Sequence, residues 1–251
     1  MIRILTEYIE PRIRFKQEKV KDTIVFFGSS KIVSRATARK LLGEAKKLNQ
    51  SNPTKRNTQE YKVAQKRLEM AQYYEDARTL ARLLTEWSMS LGNNHRRYLI
   101  VSGGGPGIME AANRGALDVK GGKTIGLNIS IPSEQDSNPY ITDKLNFEFH
   151  YFFMRKFWFV YLAKALVIFP GGFGTMDELW EVMTLIQTRK VQKKMPIVIY
   201  GEEHWKKIIN FDALVESLVI EKNDLKLLHF SNTPQEAFDF LSKRLSESFS
   251  T

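Results

Sequence analysis

The sequence predicts an α/β fold: a doubly wound parallel sheet with flanking helices, in a single domain over residues 1–251. Three stretches carry that expectation. Residues 23–27, Thr-Ile-Val-Phe-Phe, form a β-rich apolar run that ends at Gly28-Ser29-Ser30. Residues 98–101 form a second run, followed by Ser102-Gly103-Gly104-Gly105-Pro106-Gly107 and the helical start Ile108-Met109-Glu110-Ala111-Ala112. The third run, 165–169, leads through Pro170-Gly171-Gly172-Phe173-Gly174-Thr175 to apolar positions at Leu179, Val182, Met183, Leu185 and Ile186. Buried strands that alternate with helical patterns read as βαβ units of a parallel sheet. A chain of 251 residues can give such a sheet one full core.

Taken in order, residues 1–21 are interrupted by Arg3, Glu7, Glu10, Arg12 and Arg14, so they lack the apolar middle of a secretory signal. After the first strand, the span from Arg39 to Arg82 holds 11 Lys/Arg against 5 Asp/Glu, an excess of 6 within the net charge of +10. Its part at 44–70 is polar and poor in large apolar residues, which predicts a solvated basic helical arm or a mobile insertion. Ala77, Leu80, Ala81, Leu84 and Met89 then make a helical stripe over 73–91, ended by Gly92. Beyond the first glycine-rich helix, 123–129 reads as a strand, 132–142 as a polar loop bordering a pocket, and 144–150 as an alternating strand. Residues 151–162 form an aromatic helix carrying Arg155 and Lys156 between Phe153 and Phe157. An arginine among aromatics either snorkels to water or points into a site, and the strand that follows directly favours the second. Arg189, Lys190, Lys193 and Lys194 gather where the next helix ends, as the helix dipole favours. A strand at 196–200, a helix at 205–219, a short edge strand at 225–230 and a last helix opened by Thr233-Pro234-Gln235-Glu236 complete the chain.

The chemistry is expected at the glycine turns. In doubly wound sheets ligands bind beyond the carboxyl ends of the strands, so both turns face one crevice. Glycines at Gly171, Gly172 and Gly174 allow positive φ and bare N–H groups, and the helix start adds its own unpaired amides and positive dipole end. An anion such as a phosphate is the fitting guest. Glu178 and Glu181 lie three residues apart on one helix face, where a cationic ligand, an Arg or a developing positive charge would satisfy both. Thr175-x-x-Glu178 also fits a capping box, which would make Glu178 structural, although a capping box needs neither the glycines nor Glu181. With no cysteine and four scattered histidines, His95, His150, His204 and His229, thiol chemistry is excluded and no metal-ligand spacing is present. No run approaches the ~20 apolar residues of a membrane span, and the cytoplasm follows as the expected location.

The motifs Gly103-Gly104-Gly105-x-Gly107-x-Met109 and Pro170-Gly171-Gly172-x-Gly174-Thr175-x-x-Glu178-x-x-Glu181 together resemble the LOG ("lonely guy") family, once mislabelled lysine decarboxylases. The resemblance covers residues 22–200, with 44–70 as an insertion. It implies a Rossmann-like fold, hydrolysis of the N-glycosidic bond of a nucleoside 5′-monophosphate to free base and ribose 5-phosphate, no metal or other cofactor, and a homodimer or higher even oligomer. It further implies catalytic roles for Glu178, which would stabilise an oxocarbenium-like ribosyl cation or orient water, and for Arg155, which would hold the nucleotide or the departing base. Substrate binding would fall to Ser29, Gly104, Gly105, Met109, Lys156, Gly171, Gly172, Gly174, Thr175 and Glu181, with Glu181 orienting Arg155 or the ribose hydroxyls. Many cytokinin-activating members carry His two residues before the arginine. Phe153 stands there in this chain, which points to AMP or another common nucleotide instead. The competing expectations are a non-catalytic nucleotide-binding regulatory module, nucleic-acid binding through the basic segment, and lysine decarboxylation. Glu178 with Arg155 weighs against the first, and no recognition motif or Schiff-base lysine signal supports the other two.

Overall fold

The computed structural model describes residues 2–92, 96–131, 137–193 and 195–247. His95, Lys194 and the first part of the loop expected at 132–142 lie outside them. Seven strands form one parallel sheet in the order β4-β3-β2-β1-β5-β6-β7. They are β1 (Thr23–Phe27), β2 (Leu99–Ser102), β3 (Thr124–Ile129), β4 (Asn146–Phe149), β5 (Ala163–Ile168), β6 (Ile197–Tyr200) and β7 (Leu228–Ser231). β1 pairs with both β2 and β5, so the chain winds outward on one side of β1 and then on the other. This reversal of strand order is the place where doubly wound folds open their crevice.

The alternating side chains of β1 seed a layer on each face. Val25 and Phe27 join a cluster with Leu166, Ile168, Trp158, Phe159, Leu179 and Val182. Ile24 and Phe26 join Tyr74, Leu80, Leu84, Ile108 and Leu241 on the other face. The first layer is therefore covered by α1 (Ile2–Gln17), α5 (Phe152–Leu162) and α6 (Phe173–Gln187), and the second by α3 (Lys55–Ser90), α4 (Ile108–Leu117) and α9 (Pro234–Glu247).

Of the two expectations for the basic segment, a solvated helical arm or a mobile insertion, the first describes its local structure: it is a helix pair. α2 (Arg35–Ser51) and α3 are joined by a short turn in which Thr54 caps Asn57 N–H. Most of 44–70 is exposed, with Asn57 and Ala64 buried. Ala77, Leu80, Ala81 and Leu84 lie on the buried face of α3 as expected, whereas Met89, the last member of the expected stripe, is exposed in the helix's final turn.

Five local expectations are corrected. The edge strand expected at 225–230 is β7, Leu228–Ser231, because Asp224–Leu227 form a 3-10 turn ahead of it. The helix expected at 205–219 is two, α7 (Glu202–Ile208) and α8 (Phe211–Glu216), because Asn210 caps Ala213 N–H and starts a new helix. Leu145 lies in a 3-10 turn at Asp143–Leu145, so β4 begins later than the alternation implied. Lys193 does not serve the end of its own helix: its Nζ donates to the carbonyls of Val160 (2.5 Å) and Tyr161 (3.1 Å), at the end of α5. Burial, with Lys164 nearby, lowers its pKa to about 8. Residues 2–17, expected only to be no signal peptide, form α1, whose Glu7, Pro11 and Phe15 repeat every fourth position on its buried face.

Candidate active site

Three turns meet at the carboxyl ends of β1, β2 and β5. Ser29 N–H donates to Pro170 O (3.0 Å), Ile108 N–H donates to Ser29 O (3.1 Å), and Phe169 N–H donates to Phe27 O (2.8 Å). Ser29 thus sits between the two glycine loops. In the first loop Gly104 (φ +75°) and Gly107 (φ +74°) use the left-handed region, and a Cβ on Gly107 would lie 2.3 Å from Ser29 O. Gly107 caps α4 from its N-terminus, and Met109 lies in the first turn with its Sδ against Gly103.

A buried polar network fixes this loop. Asn138 Nδ2 donates to Gly104 O (2.9 Å), Gly105 O (3.0 Å) and Asn113 Oδ1 (2.9 Å). Asn113 in turn accepts from Ser102 Oγ (2.7 Å) and donates to Thr124 Oγ1 (2.6 Å). Sequence reasoning missed Asn113 and Asn138, since a lone Asn in a helix or polar loop carries no spacing signal.

The second loop differs from expectation in its backbone. Gly171, Gly172 and Gly174 are all outside the left-handed region. Gly172 is the N-cap of α6 (φ −96°), so Phe173, Gly174 and Thr175 already belong to the helix's first turn. At Gly171 small size is what the backbone needs. A Cβ on Gly171 would lie 2.1 Å from Thr175 Oγ1, whereas Gly172 and Gly174 face open space. Met176 N–H makes the first intrahelical bond, to Gly172 O (3.0 Å), which leaves the amides of Phe173, Gly174 and Thr175 before it. Bare amides at the positive end of a helix dipole, with room in front of them, suit an anion.

The capping box is absent. Thr175 lies inside α6, and the N-cap has no side-chain hydrogen bond. Glu178 instead pairs with Arg155 of α5, Nη2 to Oε1 at 3.1 Å, with both side chains largely buried (14% and 6% exposed). Arg155 Nε is buried without a hydrogen-bond partner, and its guanidinium lies 5.3 Å from the Phe152 ring and 5.6 Å from that of Phe159. Burial pushes the Glu178 carboxyl up to about 7, against the pull of Arg155 and Lys156, while Glu181 and Asp177 add to the rise. Burial lowers the pKa of Arg155, which Glu178 opposes.

Glu181 does not orient Arg155. Its partner is Lys156, whose Nζ lies 2.8 Å from both Glu181 Oε2 and Asp177 Oδ2. Burial works against the Lys156 charge, yet the two carboxylates hold its pKa above the ordinary value. Asp177 was missed by sequence reasoning, although its i, i+4 relation to Glu181 beside a conspicuous Lys was a usable signal. A groove of about 420 Å³ runs between α5 and α6 past Lys156 and Glu181, walled by Phe153, Phe157 and Tyr161.

A family model described as "Possible lysine decarboxylase" matches residues 109–241. No curated protein matches the chain. Among solved structures the chain is similar to the molybdenum cofactor binding protein from the phototrophic bacterium Rippkaea orientalis, at 17% identity and a TM-score of 0.45, over 69% of this chain and 88% of that one.

Proposed function

Because the chain belongs to the possible lysine decarboxylase family, the family that the LOG resemblance names, we propose that it hydrolyses the N-glycosidic bond of an AMP-like nucleoside 5′-monophosphate. The products are the free base and ribose 5-phosphate. The observation that carries this reading is the buried Arg155–Glu178 pair, set one helical turn above the bare amides of α6. Those amides take the 5′-phosphate. Glu178 faces the anomeric carbon and stabilises the positive charge that develops as the bond to the base breaks, or aligns the water that attacks it. Arg155, with Nε unbonded, has hydrogen-bonding capacity left for the nucleotide. In this reading Ser29, Gly104, Gly105 and Met109 would contact the nucleotide from the first glycine loop, and Lys156 with Glu181 from α5 and α6.

Lysine decarboxylation, which the family's description names, finds no amine nucleophile in Lys156. An amine held between two carboxylates with a raised pKa stays protonated and is no nucleophile.

If the ionised form of Glu178 does the work, kcat/KM falls about tenfold per pH unit on the acid side of about 7, where the carboxyl of the free protein takes up its proton. A pH–kcat/KM profile of adenine release from AMP is expected to show that limb. A flat profile from pH 5 to 8 would exclude a working carboxylate at this position. Stability follows the opposite sign: the raised pKa favours the protonated folded state, so this group's contribution is present below 4.5 and lost as pH rises through about 7.

The assembly is proposed to be a homodimer or a higher even oligomer. Phe152 (51%), Phe153 (55%), Phe157 (38%) and Tyr161 (57%) are exposed along α5, with Phe173 (90%) exposed at the start of α6. So much aromatic surface beside one site marks an interface. Light scattering at micromolar concentration is expected to give twice the chain mass of 29.1 kDa or an even multiple. A monomeric mass would contradict it.

A further inference from the structure

α5, the helix that carries Arg155, has no N-terminal cap of its own: its N-cap, Tyr151, makes no side-chain hydrogen bond. The missing anion comes from α1. Glu7, 7% exposed, accepts the N–H of His150 on Oε1 (2.9 Å) and that of Tyr151 on Oε2 (3.4 Å). A carboxylate there both satisfies free amides and meets the positive end of the α5 dipole.

The same residue grips α5 a second time. Pro11 lies inside α1 and has no N–H to give to the carbonyl four residues earlier, which is that of Glu7. That carbonyl accepts from Trp158 Nε1 on α5 instead (2.9 Å). Tyr8 packs its ring on Phe157 and Trp158, at 5.7 and 5.8 Å between centroids. Arg14 ties the other end of α1 to the connection ahead of α5, donating to Lys144 O (3.1 Å) and Asn146 O (2.8 Å). Arg155 itself makes one hydrogen bond, to Glu178, with Nε unbonded, and the rings its guanidinium lies against, Phe152 and Phe159, belong to α5 as well. Its distance from Glu178 therefore follows the placement of the α5 backbone.

We infer that Glu7 is a positioning residue: its carboxylate and carbonyl set α5 on α1 and thereby fix the Arg155 guanidinium against the Glu178 carboxyl. The inference rests on the proposed reading only in taking Glu178 as the working group, and it brings a helix outside the matched residues 109–241 into the site's scaffold.

The test reads Glu178 directly and needs no turnover. Its carboxyl is followed by ¹³C NMR titration of the ligand-free protein, with Glu178→Gln identifying the resonance. The charges facing it are Arg155 and Lys156 from α5 and Asp177 and Glu181 on α6. Glu7 itself is faced by His150 Nδ1 at 3.8 Å. In Glu7→Gln, a retreat of Arg155 by about 1 Å raises the Glu178 midpoint by roughly one pH unit, at an effective dielectric of about 20. Loss of the Glu7 charge acting only through space would move the midpoint down, and a merely structural Glu7 would lower the melting temperature with the midpoint unmoved. Either result overturns the inference. Glu7→Asp keeps the charge and withdraws the carboxylate by one methylene. It is expected to give a smaller upward shift, and it serves as the test should Glu7→Gln fail to fold. An unmoved midpoint in Glu7→Asp then overturns the inference. Should Glu178→Gln retain full activity while the midpoint still rises in the Glu7 variants, the proposed reaction fails and the positioning role stands.

Discussion

Glu178→Gln is expected to lower base release from AMP by on the order of 10²-fold or more while the protein remains folded. The substitution keeps the size of the side chain and its ability to accept from Arg155 Nη2, so it removes little except the negative charge. A cap partner would tolerate it, because Gln serves in a capping box as well as Glu does. The helix start leaves no such role, with Gly172 as N-cap and Thr175 within the first turn. What the charge does in the proposed reaction is meet an oxocarbenium-like ribose, and the amide cannot. Nucleotide binding should persist, since the amides of Phe173, Gly174 and Thr175 are untouched. Turnover, a melting curve and an AMP titration on one preparation check all three parts. Near wild-type turnover would leave Glu178 without a catalytic role.

The second large effect concerns the substrate's phosphate. Adenosine lacks the anion that the start of α6 is built to receive, and it should be cleaved at least about 10²-fold less efficiently than AMP. Hydrogen bonds to a charged group contribute roughly 1.5–3 kcal/mol each, so losing two of them accounts for a factor of that size or larger. Open space before Gly172 and Gly174 is what lets the phosphate approach the main chain. Comparable kcat/KM for AMP and adenosine would remove the phosphate role of this loop.

The middle of the sheet was legible because its inner strands are nearly continuous apolar runs. Thr23–Phe27 and residues 165–168 are buried on both faces, as the strands of a parallel sheet between two helical layers are. The glycine turns were legible for a related reason, as they interrupt such runs at the strand ends. The backbone of the second turn was not. Glycine permits positive φ without requiring it, and here the three glycines serve close packing against Thr175 and open access instead. The pairing of Glu178 with Arg155, rather than with Thr175, depends on where α5 lies over α6, and no local spacing encodes a contact between residues 23 positions apart. The same holds for α1. Its two faces are both partly apolar, with Ile2, Leu5, Ile9 and Ile13 exposed opposite the buried Pro11 and Phe15, so periodicity gave no single stripe to read. Asn138 was hidden because its value lies in three acceptors from distant parts of the chain.

The central claim is tested most directly by incubating the purified protein with a panel of common nucleoside 5′-monophosphates and separating the products. The account predicts free base and ribose 5-phosphate in equal amounts from AMP or a close relative. Binding of those nucleotides with no base released from any of them would contradict it and would leave the chain a non-catalytic nucleotide-binding module.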